Sequence, residues 1–456
     1  MIAEQGEPGA EWREMQSITA GGARGSKLGA QDSIEVLRPG LLTTVQDRGR
    51  FGYQRFGVPV SGGVDEIALR AANVLVGNPH GAAALEVTAL GPQLRFLADA
   101  VVALTGAEVE GVLGGRPVPW YRSFRVRAGQ VLDIRACTRG LRAYLAIAGG
   151  IDVPILLGSR STCLVANFGG FRGRALMAGD VLAVGPPPAL LSEIAERAIP
   201  EAWRPRHGAP VTLRVVLGPQ DDAFTEEGRR TFLESTYRVT PDSDRMGCRL
   251  DGPVIAHKGS ADIISDWVPL GGVQVPGDGK PIVLLADRQT TGGYPKIATA
   301  IHPDISLVAQ LRPGDALAFR AVSVAEAQGV ARNLEEDLSA LPARLVRAES
   351  WSYAAELGEV PGGISLDSEG EAGRAVPTAA EPGSGAVRSP MPAKVMKVLV
   401  GSGETVCAGQ PLFLLQAMKM EFEVAAPRAG RLVEMSVRAG DAVGADDVMA
   451  RVDATA

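Results

Sequence analysis

Gln416-Ala417-Met418-Lys419-Met420-Glu421 decides how this 456-residue chain is read. Its plainest reading is a strand. Met418, Met420, Phe422 and Val424 alternate with Lys419, Glu421 and Glu423, a period-two pattern with one buried and one solvated face. On pattern alone, one strand runs from Pro411 to Val424 and Lys419 is an ordinary exposed lysine. No Gly or Asn stands at Met418-Lys419, so turn chemistry does not favour a hairpin tip there.

The flanks argue for more than a strand. Val398 matches Met435, Val400 matches Val437, Gly403-Glu404 matches Gly440-Asp441, Val406 matches Val443 and Leu412 matches Met449, each pair 37 positions apart. Two copies of strand, acidic Gly turn and strand predict a small barrel folded from two related halves, with the lysine near their junction. Ala417-Met418-Lys419-Met420, the entry Ser389-Pro390-Met391-Pro392 and the exit Ala426-Pro427 resemble the attachment site of biotinyl domains. One departure is Ala393, where that family often has glycine. The resemblance implies that residues 389–456 form a biotinyl carrier domain, that Lys419 carries biotin covalently, and that a biotin protein ligase is a partner. The flanking methionines can pack onto the barrel while the lysine stem stands clear. Acylation removes the charge and leaves a long arm, and something upstream has to use the biotin.

The whole chain has room for about three domains. Its formal net charge is −6 and it shows no basic patch, which argues against nucleic acid and anionic membranes as partners. No apolar run reaches membrane-spanning length and no charged-then-apolar signal opens the chain. Cys137, Cys163, Cys248 and Cys407 are scattered without a CxxC pair, as expected of reduced thiols in a cytoplasmic protein. His80, His207, His257 and His302 show no ligand spacing, so no metal site is expected.

Residues 1–33 lack periodicity and predict a disordered tail. Ile34–Val36 and Leu42–Val45 flank Pro39-Gly40 and predict a hairpin. Asp65 is placed to cap a helix carrying Ile67, Ala71, Val74 and Leu75 on one face and closed by Gly77. Short strands follow to Gly185, among them Val101–Leu104, Phe124–Val126, Val131–Ile134 and Leu141–Ile147, giving a mostly β domain over 34–200. A Pro-rich connector over 186–210 leads into a second β-rich domain over 201–346. That domain includes the strands Val211–Leu217 and Pro281–Ala286, a helix near Asp222–Leu233, and a helix opened by a Ser323/Glu326 capping box. Residues 347–388, rich in Gly, Pro, Ser, Ala and Glu, predict a flexible linker, which a carrier visiting distant sites needs.

Five stretches in these two domains are distinctive. They are Thr43-Thr44-Val45-Gln46-Asp47-Arg48-Gly49-Arg50, Leu85-Glu86-Val87-Thr88, Asp244-Arg245-Met246-Gly247-Cys248-Arg249-Leu250, Gly272-Val273-Gln274-Val275-Pro276-Gly277-Asp278-Gly279, and Ala286-Asp287-Arg288-Gln289-Thr290-Thr291-Gly292-Gly293-Tyr294-Pro295-Lys296. Arg245 and Arg249, four apart, would share a face on a helical turn and could clamp a carboxylate; pairing with surface acids is the competing reading. Gln274 offers donor and acceptor to an amide or ureido edge, or is a strand-end glutamine satisfied by backbone. Asp287 ends an apolar strand before a tight turn, a common place for a functional acid, though a turn cap is the usual reading there. Tyr294 and Lys296 could donate to a developing anion; core packing and solvent exposure are their alternatives.

Together the stretches resemble the carboxyltransferase family of urea carboxylase and the C component of 5-oxoprolinase, also called the allophanate hydrolase subunit 2 domain, over residues 34–340. The resemblance implies a mainly β fold with two cyclophilin-like β-barrel subdomains, to which the C-terminal flattened barrel is added. It implies catalytic roles for Arg245, Gln274, Asp287 and Lys296. It implies substrate binding by Asp47, Arg48, Glu86, Arg249, Pro276, Asp278, Thr290, Thr291, Gly292, Gly293 and Tyr294. The expected reaction moves the carboxyl group of carboxybiotin to a urea- or amide-like acceptor. No P-loop or ATP-grasp pattern is visible, so a separate biotin carboxylase is an expected partner, with a companion like the B component of 5-oxoprolinase. Two alternatives stand beside it: a component of an ATP-dependent 5-oxoprolinase, and a non-enzymatic regulator.

Overall fold

Alternation and bulges, more than turns, build the N-terminal domain. In the computed structural model, which describes residues 33–205, 207–349, 375–376 and 385–454, two long strands dominate it. Ala100–Leu113 and Val131–Ile147 pair antiparallel through several register shifts around Gly106 and Gly111. Those bulges let one bent strand cover what the sequence divides into Val131–Ile134 and Leu141–Ile147. The two strands anchor a 12-stranded sheet. The expected N-terminal hairpin is not formed: Ser33–Arg38 pairs with Gln93–Phe96 and Val181–Val184, whereas Leu42–Gln46 pairs with Ala84–Thr88. Gly40, at φ +76°, takes the chain between them so close to Leu90 that a Cβ would lie 2.4 Å from its carbonyl oxygen. The expected tail lies outside the described residues up to Ser33, and so does most of the expected linker.

The helix Glu66–Leu75 is capped by Asp65, whose Oδ1 accepts from Ala68 N–H at 2.9 Å. Its buried face, with Leu69, Ala72 and Leu75, packs on the sheet and on Leu338 and Leu341 of the helix Val324–Arg344. Ser323 caps that second helix through Glu326 N–H at 3.1 Å, but the Glu326 carboxylate turns to Arg320, so only half of the capping box forms. Helix packing and the bidentate Arg70–Glu335 pair, at 2.6 and 2.7 Å, tie the end of the second domain back onto the first.

The second domain is a closed barrel of seven strands, with Val211–Leu217 at the bounds the sequence predicts. Its core holds Phe224, Phe232, Tyr237, Val273, Val283 and Phe319. Strand directions give the barrel two ends. The loops around 240–246, 285–288 and 300–315 lie at the end facing the N-terminal domain, and 274–281 and 293–296 lie at the outer end.

The repeat in the C-terminal unit is real structure. Strands begin at Ala393, Thr405 and Pro411, and again 37 residues on at Gly430, Ala442 and Val448. The halves exchange their short strands: Ala393 pairs with Val443 in one sheet, and Gly430 with Val406 in the other. The strand Ala386–Arg388 joins the second sheet through Val448–Asp453. Between the halves the expected single strand is instead a hairpin, Pro411–Ala417 against Met420–Ala425, with Ala417 opposite Met420. Met418 and Lys419 form its two-residue turn at φ 51° and 59°. Positive φ at both central residues marks the turn family that matches strand twist, achieved here without Gly or Asn.

Candidate functional site

Lys419 sits at that hairpin tip with its side chain 49% exposed, and its Nζ donates to Asp244 Oδ2 of the barrel at 2.9 Å. A half-exposed amine on a tight turn is accessible to an acylating enzyme. Met418, beside it, is buried, and its N–H donates to Pro241 O at 2.9 Å.

Next to Asp244 the chain enters the junction between the two domains. Arg245 is buried; its Nε and Nη2 donate to Asp287 Oδ2 and Oδ1 at 2.8 and 3.1 Å, its Nη1 to Glu86, and its Nη2 also to Gly62 O at 2.7 Å. Glu86 also accepts from Tyr144 O–H at 2.6 Å and Val64 N–H at 2.9 Å. Burial pushes the Glu86 carboxyl up, but Arg245 and Arg142, with these hydrogen bonds, outweigh it and hold the group below its ordinary value. Burial would likewise lower Arg245, yet Asp287 and Glu86 raise it. The expected clamp with Arg249 is absent: 245 lies in a loop rather than a helical turn, and Arg249 faces solvent from the strand Gly247–Asp251.

Gln274 and Lys296 lie at the other end of the barrel, paired across the strands Gly272–Gln274 and Lys296–Ala300. Gln274 is buried, with long hydrogen bonds to Tyr294 O at 3.3 Å and from Gln289 Nε2 at 3.4 Å. Lys296 is buried too, not solvated, and its Nζ donates to Asp266 Oδ2 at 2.9 Å. Asp266-Trp267 pairs with Thr291-Gly292, so Gly292, Gly293, Tyr294 and Thr291 rim this end, with Tyr294 and Trp267 exposed and Thr290 buried below. Asp278 is exposed on the adjoining turn, where it accepts from Lys280 N–H, and Pro276 is half-buried.

Asp47 and Arg48 belong to neither group. Asp47 is closed by Ser159 Oγ, Ser161 Oγ and the N–H groups of Gly49 and Arg160. Arg48 is exposed and pairs with Glu66 at 2.8 Å.

The geometry thus joins a modifiable lysine on a small repeat barrel to two welded β domains. Residues 56–321 match the carboxyltransferase domain, subdomain A and B, and residues 385–452 match the biotin-requiring enzyme domain. The chain belongs to the carboxyltransferase family. The C component of the Haemophilus influenzae 5-oxoprolinase is 39% identical over 302 residues, 66% of this chain and 95% of that protein. The crystal structure of the Kluyveromyces lactis urea carboxylase matches at TM-score 0.65 and 32% identity, over 71% of this chain and 31% of that one. This chain therefore spans under a third of that protein. The biotin carboxyl carrier protein of Streptococcus mutans is 42% identical over 71 residues, 16% of this chain and 55% of its own. This carboxyltransferase depends on biotin and brings its own biotinyl domain.

Several buried polar residues of the carboxyltransferase body lie outside the five distinctive stretches or carry no motif within them. Gln310 bridges the domains, donating from Nε2 to Asp65 Oδ2 at 2.7 Å and accepting from Leu141 N–H at 2.9 Å. Arg50 is fully buried over the Phe168 ring; Nη2 donates to Ser161 O, while Nε and Nη1 have no hydrogen-bond partner, and neither do Ser61 Oγ and Gln46 Oε1, the latter at the end of the Leu42–Gln46 strand. Burial holds the Arg50 guanidinium below its ordinary value. Arg50 ends the first distinctive stretch, so its signal was available; Gln310 stands in none. Among the described residues no helix is long and apolar enough to cross a membrane, and no group of three or more His, Cys, Asp or Glu is placed to hold a metal.

Proposed function

We propose that this carboxyltransferase moves a biotin-borne carboxyl group from Lys419 to a urea- or amide-like acceptor. The observation that carries the reading is the covalent union of carrier and transferase in one chain, with a hairpin-tip lysine, 49% exposed, docked on a carboxyltransferase body. Bound biotin supplies the ureido ring that carries the carboxyl group. The chain's residues do the rest. Gln274, weakly held, has an amide that can exchange its long internal bonds for a donor–acceptor pair with an amide-like acceptor. The Lys296 ammonium, buried beside it, stabilises developing negative charge, and Asp266 holds it in place. Gly292 and Gly293 let the acceptor approach the backbone, while Tyr294 and Thr291 rim the opening. We assign Arg245, Glu86 and Asp287 to holding the two domains in register, and Asp47 to bracing its own loop against Ser159–Ser161 within the N-terminal domain. Carboxylation of the biotin falls to an ATP-grasp biotin carboxylase, and a companion like the B component of 5-oxoprolinase completes the assembly in the cytoplasm.

Purified protein, biotinylated and mixed with a biotin carboxylase, ATP and bicarbonate, is expected to carboxylate urea, guanidine or a related compound, and Lys419→Arg is expected to abolish this. A second reading draws on the match to nearly the full length of the 5-oxoprolinase C component. On it, the chain serves a 5-oxoproline-opening complex, and that activity would survive Lys419→Ala.

A further inference from the structure

We propose that the loop from Pro241 to Asp244, with Leu41, Ala89 and Leu141 beside it, is a seat for the carrier hairpin, and that Asp244 recognises the Lys419 nitrogen both before and after acylation. The proposal rests on the reading of Lys419 as the biotin attachment site.

Three contacts of different kind define the seat. The Met418 N–H donates to Pro241 O at 2.9 Å, a backbone bond that sets the depth of the tip. The apolar core of the carrier, Met418 included, runs on without a break into Leu41, Ala89 and Leu141 of the body. The Lys419 Nζ donates to Asp244 Oδ2 at 2.9 Å. The Asp244 carboxylate is not free to turn away. Its Oδ1 accepts from Met246 N–H at 2.8 Å and Gly247 N–H at 3.1 Å, which leaves Oδ2 for the carrier.

The chemistry of the bond explains why one acceptor serves two states. An ammonium carries three N–H groups and a positive charge; the amide formed on acylation keeps one N–H and no charge. Oδ2 therefore retains a hydrogen bond to the modified arm and loses the ion pair. The pair is partly solvated, with side-chain exposures of 49% and 24%, so its charge contributes modestly. The seat accordingly grips the unmodified carrier more firmly and still accepts the modified one, at the root of the arm. It also competes with the ligase, since the amine has to leave Asp244 and lose its proton before it attacks.

The test uses the full chain made without biotin. Hydrogen exchange at the Met418 amide is expected to be slowed in the parent protein and to accelerate in Asp244→Ala. With biotin, ATP and a biotin protein ligase, Asp244→Ala is expected to gain biotin about two- to fivefold faster by intact mass, the range for a partly solvated ion pair. Asp242→Ala, on the same loop, is expected to leave the rate unchanged. Equal Met418 exchange in parent and Asp244→Ala, equal labelling rates, or an Asp242→Ala as fast as Asp244→Ala each overturns the proposal. Failure of every protein to take up biotin instead removes the attachment site, while the exchange result still judges the seat.

Discussion

Arg245 of the barrel ends on the carboxylate of Glu86 in the N-terminal domain, across 159 positions of sequence, with the two side chains 4% and 1% exposed. Asp287 takes two more of its N–H groups. Removing the cation leaves Asp287 buried without its hydrogen-bond partner and Glu86 with only Tyr144, Val64 and the more distant Arg142, the costly way to break a buried ion pair. Arg245→Ala is expected to lower the unfolding free energy by about 3–5 kcal/mol in a urea titration. Activity lost in that variant then follows the lost junction, and a variant of unchanged stability and no activity would contradict the structural role.

Glu86 also sets a pH dependence. Its folded value lies below the ordinary one because Arg245 and its hydrogen bonds outweigh burial. A lowered carboxyl contributes stability that is full above its unfolded value and is lost as pH falls through the folded value. Asp65, raised by burial, has the opposite sign: its contribution is full below its unfolded value and lost as pH rises through the folded one. Urea titrations from about pH 6 to about pH 3 are expected to show stability falling at the acid end, with a shallower fall in Glu86→Gln.

Gly292 controls Gln274 at the outer end of the barrel. A Cβ at 292 would lie 2.5 Å from Gln274 Nε2 and 3.1 Å from Val268 Cγ2. The nearest atom is the end of a flexible side chain held by bonds of 3.3 and 3.4 Å, so the amide moves aside cheaply. Gly292→Ala is therefore expected to change stability by less than about 1 kcal/mol while slowing carboxyl transfer by about 10- to 100-fold. Thermal melting and the transfer assay separate the two, and an unaffected rate would remove Gln274 from the acceptor site.

Legible in the sequence is whatever repeats or caps locally, whereas alternation alone runs the two strands of the Pro411–Ala425 hairpin into one. The 37-residue spacing located the carrier's strand pairs and its lysine, and the Asp65 cap and the Val211–Leu217 strand needed no partner elsewhere to be seen. The misread features depend on distant contacts. Arg245 and Arg249 share a spacing that means a common face only on a helix, and the Gly247–Asp251 strand with its loop makes one buried and one exposed. For Lys296 it is only the alternative of solvent exposure that falls, once Asp266, 30 positions away, is placed against it. The grouping of Gln274 with Lys296, apart from Arg245 with Asp287, follows from barrel closure, which no single motif encodes.

The Met418-Lys419 turn is the plainest case, and it carries the last prediction. Both residues have positive φ, which costs an ordinary side chain about 1–2 kcal/mol and which glycine adopts freely. On backbone grounds alone, Met418→Gly should stabilise the hairpin. Met418 is also 4% exposed, within the apolar cluster that joins carrier to body. Full burial of such a side chain contributes about 1.5–3 kcal/mol, the larger of the two effects. Met418→Gly is thus expected to be net destabilising, by about 1 kcal/mol, and to loosen the tip from the body, visible as faster hydrogen exchange over 417–420. Met418→Leu, which keeps the volume and the strain together, is expected to stay close to the parent. A glycine variant more stable than the parent would show that turn strain, not packing, governs this tip.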